Sequence, residues 1–328
     1  MSSSDESIRS AAARLCGASV SGLTIVGGGG NNRVYRVDAG GHAYALKAYP
    51  SREHDPRDRL QHEFEALRFI SERFPRSVPA PVAADRQLRL ALYSWVDGER
   101  VTSHNANDVR VAASFALALH TARNDAGART LMPASEAIFG NADLIEQIEV
   151  RLRRLRGVAI DEPELDVFLR ERLEPELAAR RQLDPAYDEL PKPHRTLSPS
   201  DFGFHNALRQ PDGTLVFIDF EYFGWDDPVK LVSDFLWHPA VELDAEERAA
   251  LLAAAATIYG GDPAFAGRLQ AYSPLIALRW AAIVLNEFVP EVWKRRVYAG
   301  QTGDWGEIKA RQLAKAGRLL DRLAVAGE

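Results

Sequence analysis

The chain holds 328 residues, 46% apolar and 26% charged, a mixture that excludes disordered and low-complexity classes; single cores stop growing near roughly 250–300 residues, so about two domains are expected. The formal charge of −6 argues against nucleic-acid binding, and the single cysteine, Cys16, excludes an internal disulfide and a cysteine-based zinc site. No basic and apolar leader opens the sequence, and the most apolar stretch, 275–289, is interrupted by Arg279 and Glu287. It falls short of the ~20 residues that span a bilayer, so no membrane segment is expected and a reducing, cytoplasmic setting fits.

In chain order, Ser4 or Asp5 reads as the cap of a short helix carrying Ile8, Ala12 and Leu15 and stopped by Gly17. Residues 23–26, 34–37 and 44–49 then read as three strands of an antiparallel meander, with turns at 27–32 and at Gly40-Gly41. Residues 59–73 carry Leu60, Phe64, Leu67, Phe69 and Ile70 at helical spacing, and Pro75, Pro79 and Pro81 close that helix. Strand character returns over 88–96 before Asp97-Gly98 breaks it. A β-rich region with one long helix therefore occupies 1–96, with a net charge of +3, and the remaining 97–328 carries −9. There the pattern predicts helices over 108–123, 144–155, 165–181, 245–259, 264–288 and 305–324, with Pro175 and Pro274 kinking or breaking two of them. The exception is a predicted hairpin, 206–208 and 215–218, around Pro211-Asp212-Gly213.

Three groups of residues carry chemistry. Gly27, Gly28, Gly29 and Gly30 with Asn31 and Asn32 lie between strands, which excludes a Rossmann fingerprint, whose loop must open a helix, and a P-loop, where Gly-Lys-Ser/Thr must follow; a glycine-rich hairpin turn can still bring backbone N–H groups against a triphosphate. Lys47 stands in an apolar strand, where a charge is costly without an anionic partner, and Glu63 or its rival Glu65 on the following helix could hold it against phosphate. The third group is Asp201, Asn206 and Asp219, short polar side chains on a loop and at the end of an apolar strand. Their types suit a carboxylate that accepts a hydroxyl proton, with an amide and a second carboxylate on Mg²⁺. An Asx-turn accounts for any one of them singly. No histidine pair has metal-ligand spacing; His205 reads as a loop-stabilising residue and His120 as a buried, hydrogen-bonded one. Ser198 and Ser200 lack the Gly-x-Ser-x-Gly elbow of a serine hydrolase.

With these motifs the chain resembles the aminoglycoside phosphotransferase and choline kinase-like enzymes over essentially its whole length. The resemblance rests on Asn32, Lys47, Glu63, Leu119-His120, Asp201, Asn206 and Asp219-Phe220-Glu221, and on Gly224, Asp226-Asp227-Pro228 and Asp234 beyond them. It implies an α+β, bilobal protein kinase-like fold, with a small antiparallel β-rich N-lobe bearing one long helix (1–96, nucleotide-covering) and a larger, mainly helical C-lobe (97–328, with catalytic loop, metal site and acceptor binding). It implies ATP or GTP with Mg²⁺ as cofactors, the base of the nucleotide against a hinge at 93–96 that includes Tyr93 and Trp95, and transfer to a small hydroxylated acceptor. The family's His-Gly before the catalytic aspartate is Pro199-Ser200 here, and Asn32 stands where protein kinases have a third glycine. No long activation loop or Ala-Pro-Glu follows Asp219, against a protein kinase; the rival from another class is a nucleotide-binding pseudokinase or scaffold. The charge division favours a neutral or cationic acceptor such as an amino-sugar, aminocyclitol or amino-alcohol. Glu221, Asp226, Asp227, Glu287 and Glu291, with Trp225, Trp280 and Trp293, are candidates on that side, each having the plainer reading of a solvated charge or a core aromatic.

Overall fold

Alternating apolar residues in the first hundred positions build an antiparallel sheet. The computed structural model describes residues 3–26, 32–50, 58–182, 189–298 and 301–326. Helix α1 (Ser3–Cys16) already contains Ser4 and Asp5, so the expected cap lies inside its first turn. Strands β1 (Val20–Val26), β2 (Arg33–Ala39) and β3 (His42–Ala48) form the expected meander; Gly40 and Gly41, at φ +59° and +80°, make the β2–β3 turn, which residues with a Cβ enter only at a cost. Helix α2 (Arg59–Ser71) is capped by Asp58, whose side chain accepts from Gln61 N at 3.2 Å. Strands β4 (Pro81–Asp85) and β5 (Leu90–Ser94) complete a five-stranded sheet in the order β1-β2-β3-β5-β4. The sequence reading took Pro81 only as a helix stop and missed β4. Pro81 is the first residue of an edge strand, where its missing N–H breaks no ladder. Ala11 and Ala12 of α1 pack into one core with Tyr35, Val37, Ala39, Leu46, Leu90 and Leu92.

After β6 (Glu99–Arg100) comes α3 (Ala106–Ala122), started two residues early by an Asn105–Asp108 capping box. Helix α4 (Asn141–Ala159) follows, then α5 (Pro163–Phe168) and α6 (Glu174–Gln182), joined by a π turn over Leu169–Leu173. Pro175 has no N–H to donate and its ring would crowd the carbonyl four residues back, and the widened turn falls where that crowding would occur. Next are β7 (Thr196–Ser198), β8 (Ala207–Arg209), β9 (Leu215–Phe217), β10 (Gly224–Asp226), α7 (Pro228–Trp237), α8 (Ala245–Tyr259), α9 (Phe265–Val284), α10 (Pro290–Tyr298) and α11 (Trp305–Ala326). Neither α7 nor α10 was predicted. Every residue of α7 is buried, so it shows no polar face and no helical period. Helix α9 runs on through Pro274.

By packing, the described chain forms two compact units, one of residues 1–101, 206–222 and 295–302, the other of 102–205, 223–294 and 303–328. The hairpin expected inside the helical region belongs instead to the first unit, because β8 pairs with β6 (Arg209 with Glu99, Leu208 with Arg100) as well as with β9. In the second unit α9 packs against α7 and α11, with Phe202, Phe204 and Phe235 in ring contact. No helix among the described residues is long and apolar enough to cross a membrane.

Candidate functional site

Within the first unit, Lys47 lies on β3 between Val34 of β2 and Ala91 of β5, a central position with little access to water. Its ammonium donates to Glu63 Oε1 and Oε2 at 2.7 and 2.8 Å and to Asp219 Oδ1 at 2.9 Å. Glu63 also accepts from Tyr49 OH at 2.6 Å and from Phe220 N at 3.3 Å. Burial alone would lower the pKa of Lys47, but Asp219 and Glu63 outweigh it and hold the amine protonated well above its ordinary range. Burial pushes Glu63 upward, opposed by Lys47. Glu65, two residues on and therefore round the helix, pairs outward with Arg68, which leaves Glu63 as the partner of Lys47.

Asp219 stands just past β9 with φ +68°, a left-handed conformation that costs a non-glycine residue about 1 kcal/mol or more. Asn206 immediately precedes β8, and its carbonyl accepts from Ile218 N at 2.9 Å, so the hairpin register brings the backbones of the two expected metal ligands together. Glu221 is buried and accepts from Asn32 Nδ2 at 2.7 Å and from the Arg59 guanidinium; Arg59 also donates to Tyr222 OH at 2.8 Å. Burial, and then Asp219, raise Glu221 to about 7 against the pull of Arg59. The asparagine in place of a third glycine thus ties β2's approach to the segment after β9 that carries Asp219 and Glu221. Gly27, Gly28, Gly29, Gly30 and Asn31 lie outside the described residues. Arg59 had been given no role, although a cation at the first residue of a helix, against the helix dipole, signals a compensating anion.

The expected hinge residues divide. Tyr93 is buried, its hydroxyl 2.8 Å from Tyr49 OH and its ring tilted against Phe64, so its side chain supports the Lys47–Glu63 pair from behind. Trp95 is half-buried under the Arg36 guanidinium and donates to Asp97 Oδ1 at 2.9 Å.

In the second unit, Asp201 follows β7 in a tight turn, its N–H donating to Pro199 O at 2.9 Å. Ser200 takes the position of the family's glycine with φ +66°. Its N–H donates to Ser198 Oγ at 3.0 Å, and its hydroxyl accepts from Lys230 Nζ at 2.9 Å. Asp201 Oδ1 is 3.1 Å from His205 Nε2 and 3.3 Å from His238 Nε2. Burial would raise the Asp201 carboxyl, but the hydrogen bonds from these two imidazoles hold it well below the usual carboxylate range. Burial lowers His238, opposed by Asp201. His205 therefore lies in the loop as expected, whereas sequence reading gave His238 no role: a lone histidine after an unpredicted helix carries no signal. These three side chains also gather ligand atoms within 4.8 Å of one another, an arrangement that histidine spacing had not suggested.

The acidic residues expected on the acceptor side are mostly committed elsewhere. Asp226 lies 3.1 Å and Asp234 2.7 Å from Lys230 Nζ, and Asp227 caps α7 at Val229 N and accepts from Arg268 at 3.0 and 3.2 Å. All three are sealed from water, as is Glu221, so none can supply an exposed acidic field. Burial lifts Asp226 to about 6 in spite of Lys230. Trp280 donates to Asp234 Oδ1 at 2.8 Å and Trp225 to Ala128 O at 3.1 Å, while Trp293 stacks on Trp305 at 5.7 Å. Glu291 is exposed and Glu287 half-buried. Gly224 is required by close approach: a Cβ there would lie 2.3 Å from Met132 O. His120 is half-buried, 3.1 Å from Thr196 Oγ1, and lowered to about 4 by burial and Arg123.

Comparison with known proteins follows the same lines. The model of the phosphotransferase enzyme family matches residues 22–269. No curated protein sequence matches significantly. Among solved structures, choline kinase LicA from Streptococcus pneumoniae aligns over 98% of this chain and 100% of its own, with a TM-score of 0.61 and 15% identity. Spectinomycin phosphotransferase APH(9)-Ia, in complex with ADP and spectinomycin, aligns over 94% of this chain and 98% of its own, with a TM-score of 0.62 and 10% identity. A thermostable variant of aminoglycoside phosphotransferase APH(4)-Ia, in complex with ADP and hygromycin B, covers 96% and 98% respectively, with a TM-score of 0.58 and 15% identity. At such identities the likeness is one of fold: an antiparallel sheet in the N-terminal part and helices in the C-terminal part, the protein kinase-like arrangement that the motifs implied.

Proposed function

The chain belongs to the phosphotransferase enzyme family and is an enzyme that transfers a phosphoryl group to a hydroxyl, and from that premise we propose that the donor is the γ-phosphate of ATP, or of GTP, and the acceptor a small neutral or cationic hydroxyl compound, an amino-sugar, aminocyclitol or amino-alcohol. The observation that carries this reading is the Lys47 ammonium held between Glu63 at 2.7 Å and Asp219 at 2.9 Å. An amine so fixed and so firmly protonated is a preset phosphate contact. Asn206 and Asp219 offer an amide oxygen and a partly exposed carboxylate at adjoining ends of one hairpin, hard donors of the kind Mg²⁺ takes. When bound, Mg²⁺ neutralises charge on the phosphates. Asp201 takes the acceptor's hydroxyl proton as that oxygen bonds to the γ-phosphorus, and the bond from phosphorus to the bridging oxygen breaks to release the nucleoside diphosphate. The nucleotide base rests against the backbone of 93–96 and the ring of Trp95, since the Tyr93 side chain is engaged elsewhere.

For the acceptor, the support is the ligands and substrates named for the similar structures, spectinomycin, hygromycin B and choline, and the part of the net −9 of residues 97–328 that lies at the surface, since Glu221, Asp226 and Asp227 are sealed from water. The test is consumption of MgATP by the purified chain with each of these compounds and, for contrast, with sugar phosphates. Cationic acceptors should be turned over, with a KM that rises with ionic strength as exposed attraction is screened beyond ~8 Å at 0.15 M salt. Turnover of anionic acceptors alone would refute the acceptor class. Asp201→Asn should lower kcat by ~10²–10⁴ with nucleotide affinity kept; undiminished turnover would remove Asp201 from the mechanism, and nucleotide binding with no turnover by either protein would favour the pseudokinase or scaffold.

A further inference from the structure

Two imidazoles converge on a single oxygen of Asp201. The His205 and His238 rings stack with centroids 3.8 Å apart and planes 4° apart, each presenting Nε2 to Oδ1. The proton on His238 can be placed from its other nitrogen. Nδ1 lies 3.1 Å from Ala240 N, and a backbone amide only donates, so Nδ1 carries the lone pair and neutral His238 carries its hydrogen on Nε2, facing Asp201. The same facts argue against one metal ion shared by the three side chains. The facing nitrogen of His238 carries its hydrogen and offers no lone pair to such an ion.

His238 is itself held in place. It ends α7, and its ring meets the edge of Trp280 at 4.5 Å and 78°. Trp280 Nε1 donates to Asp234 Oδ1 at 2.8 Å, Asp234 Oδ2 is 2.7 Å from Lys230 Nζ, and Lys230 donates to Ser200 Oγ at 2.9 Å. Ser200 is the chain neighbour of Asp201. The contacts thus leave the carboxylate of residue 201 and return to the residue before it, a closed ring through α7 and α9 that is buried at His238, Trp280, Asp234, Lys230 and Ser200.

We propose that His238 is the positioning residue of Asp201, its Nε2–H fixing the orientation of the carboxylate, and that this ring supports the loop that carries Pro199 and Ser200 in place of the family's His-Gly. The proposal rests on the reading of Asp201 as the base. A carboxylate held at Oδ1 by the His238 Nε2–H, with His205 Nε2 3.1 Å from the same oxygen, has its rotation restricted, so the base is preset before substrate arrives.

The test needs no knowledge of the acceptor. In long-range proton–nitrogen correlation spectra of the full chain with nitrogen-15 histidine, the His238 signals, assigned by their loss in His238→Gln, should show the Nε2–H tautomer with Nδ1 unprotonated. Asp201→Asn should shift the His238 Nε2 resonance while leaving His104, which bonds Glu247 instead, in place. With MgATP and water as the acceptor, His238→Leu should lower kcat by about 10–10²-fold with the KM for ATP within about two-fold. His238→Gln, which keeps an N–H donor, should regain most of that loss, and in the Asp201→Asn background His238→Leu should cost nothing further. An Nδ1–H tautomer, a Gln variant no better than Leu although equally folded by thermal melting, or an equal loss in the Asp201→Asn background would each overturn the proposal. Wild-type turnover by Asp201→Asn would instead remove the base reading, and the proposal with it, even with the tautomer as described.

Discussion

Lys47 and Lys230 are two answers to one problem. Each is an ammonium out of water with two carboxylates around it, at 2.7 and 2.9 Å for Lys47 and at 3.1 and 2.7 Å for Lys230. Both are held protonated, because the paired carboxylates outweigh the burial that would otherwise lower their pKa. They differ in what surrounds them. Lys47 is 12% exposed and one of its partners, Asp219, is 36% exposed, whereas Lys230, Asp226 and Asp234 are exposed by 1%, 0% and 2%. An incoming phosphate can exchange for Asp219 on the first ammonium; nothing can reach the second. On the proposed function, identical chemistry is a binding device in one unit and a clamp in the other, and accessibility decides which.

The contrast is broken most sharply by removing Lys230. Lys230→Ala leaves Asp226 buried without a cation and Asp234 with only Arg279, at 3.4 Å, a loss of about 3–5 kcal/mol, which should lower Tm by about 6–20 °C for a unit of this size. A Tm within about 2 °C of wild type in calorimetry would show that the clamp bears no weight. Lys47→Ala should do the reverse, cutting kcat/KM for MgATP turnover by ~10² with a smaller shift in Tm, since Glu63 retains Tyr49 and Phe220 as donors. Glu63→Gln should be milder, and the double variant should miss the sum of the singles by more than ~0.5 kcal/mol; strict additivity would mean that the pair seen here does not act as one.

The smallest effect separates the two lysines by pH. Asp226 titrates near 6 in the folded chain, above its ordinary value of 3.8, so the folded state holds that proton more tightly than the unfolded one. Its contribution to stability is then complete below about pH 4 and lost as pH rises through about 6. Melting curves from pH 4 to 7 should show this decline, and Asp226→Asn should flatten it. A decline unchanged in Asp226→Asn would assign it to another group.

How much of this could be read beforehand follows from where each residue lies. Strands β1, β2, β3 and β5 announced themselves by alternation, and Lys47 by interrupting an apolar run that it could not join without a partner. The choice between Glu63 and Glu65 needed the helix in place, because only its rotation distinguishes an inward carboxylate from one on the surface. Helix α7 was invisible for the opposite reason: wholly buried, it has no polar face to give a period, and Lys230 and His238 were hidden with it. The acidic residues from 221 to 234 were visible but misjudged. Their number suggested an open field, and only the positions of Arg59, Lys230 and Arg268 show that they are neutralised in place.

The first unit is assembled from pieces of chain that are far apart, and this has a consequence for the growing polypeptide. Lys47 and Glu63 are only 16 residues apart, whereas Asp219 lies 172 residues beyond Lys47. At synthesis rates of about 5–20 residues per second, Asp219 leaves the ribosome roughly 10–30 s after the pair it completes. For that interval the β6 edge at Glu99–Arg100 has not met β8, and the lysine is balanced by one carboxylate instead of two. The nascent N-terminal sheet can form its five strands at once, but the third corner of its ion cluster must wait for the helices encoded between.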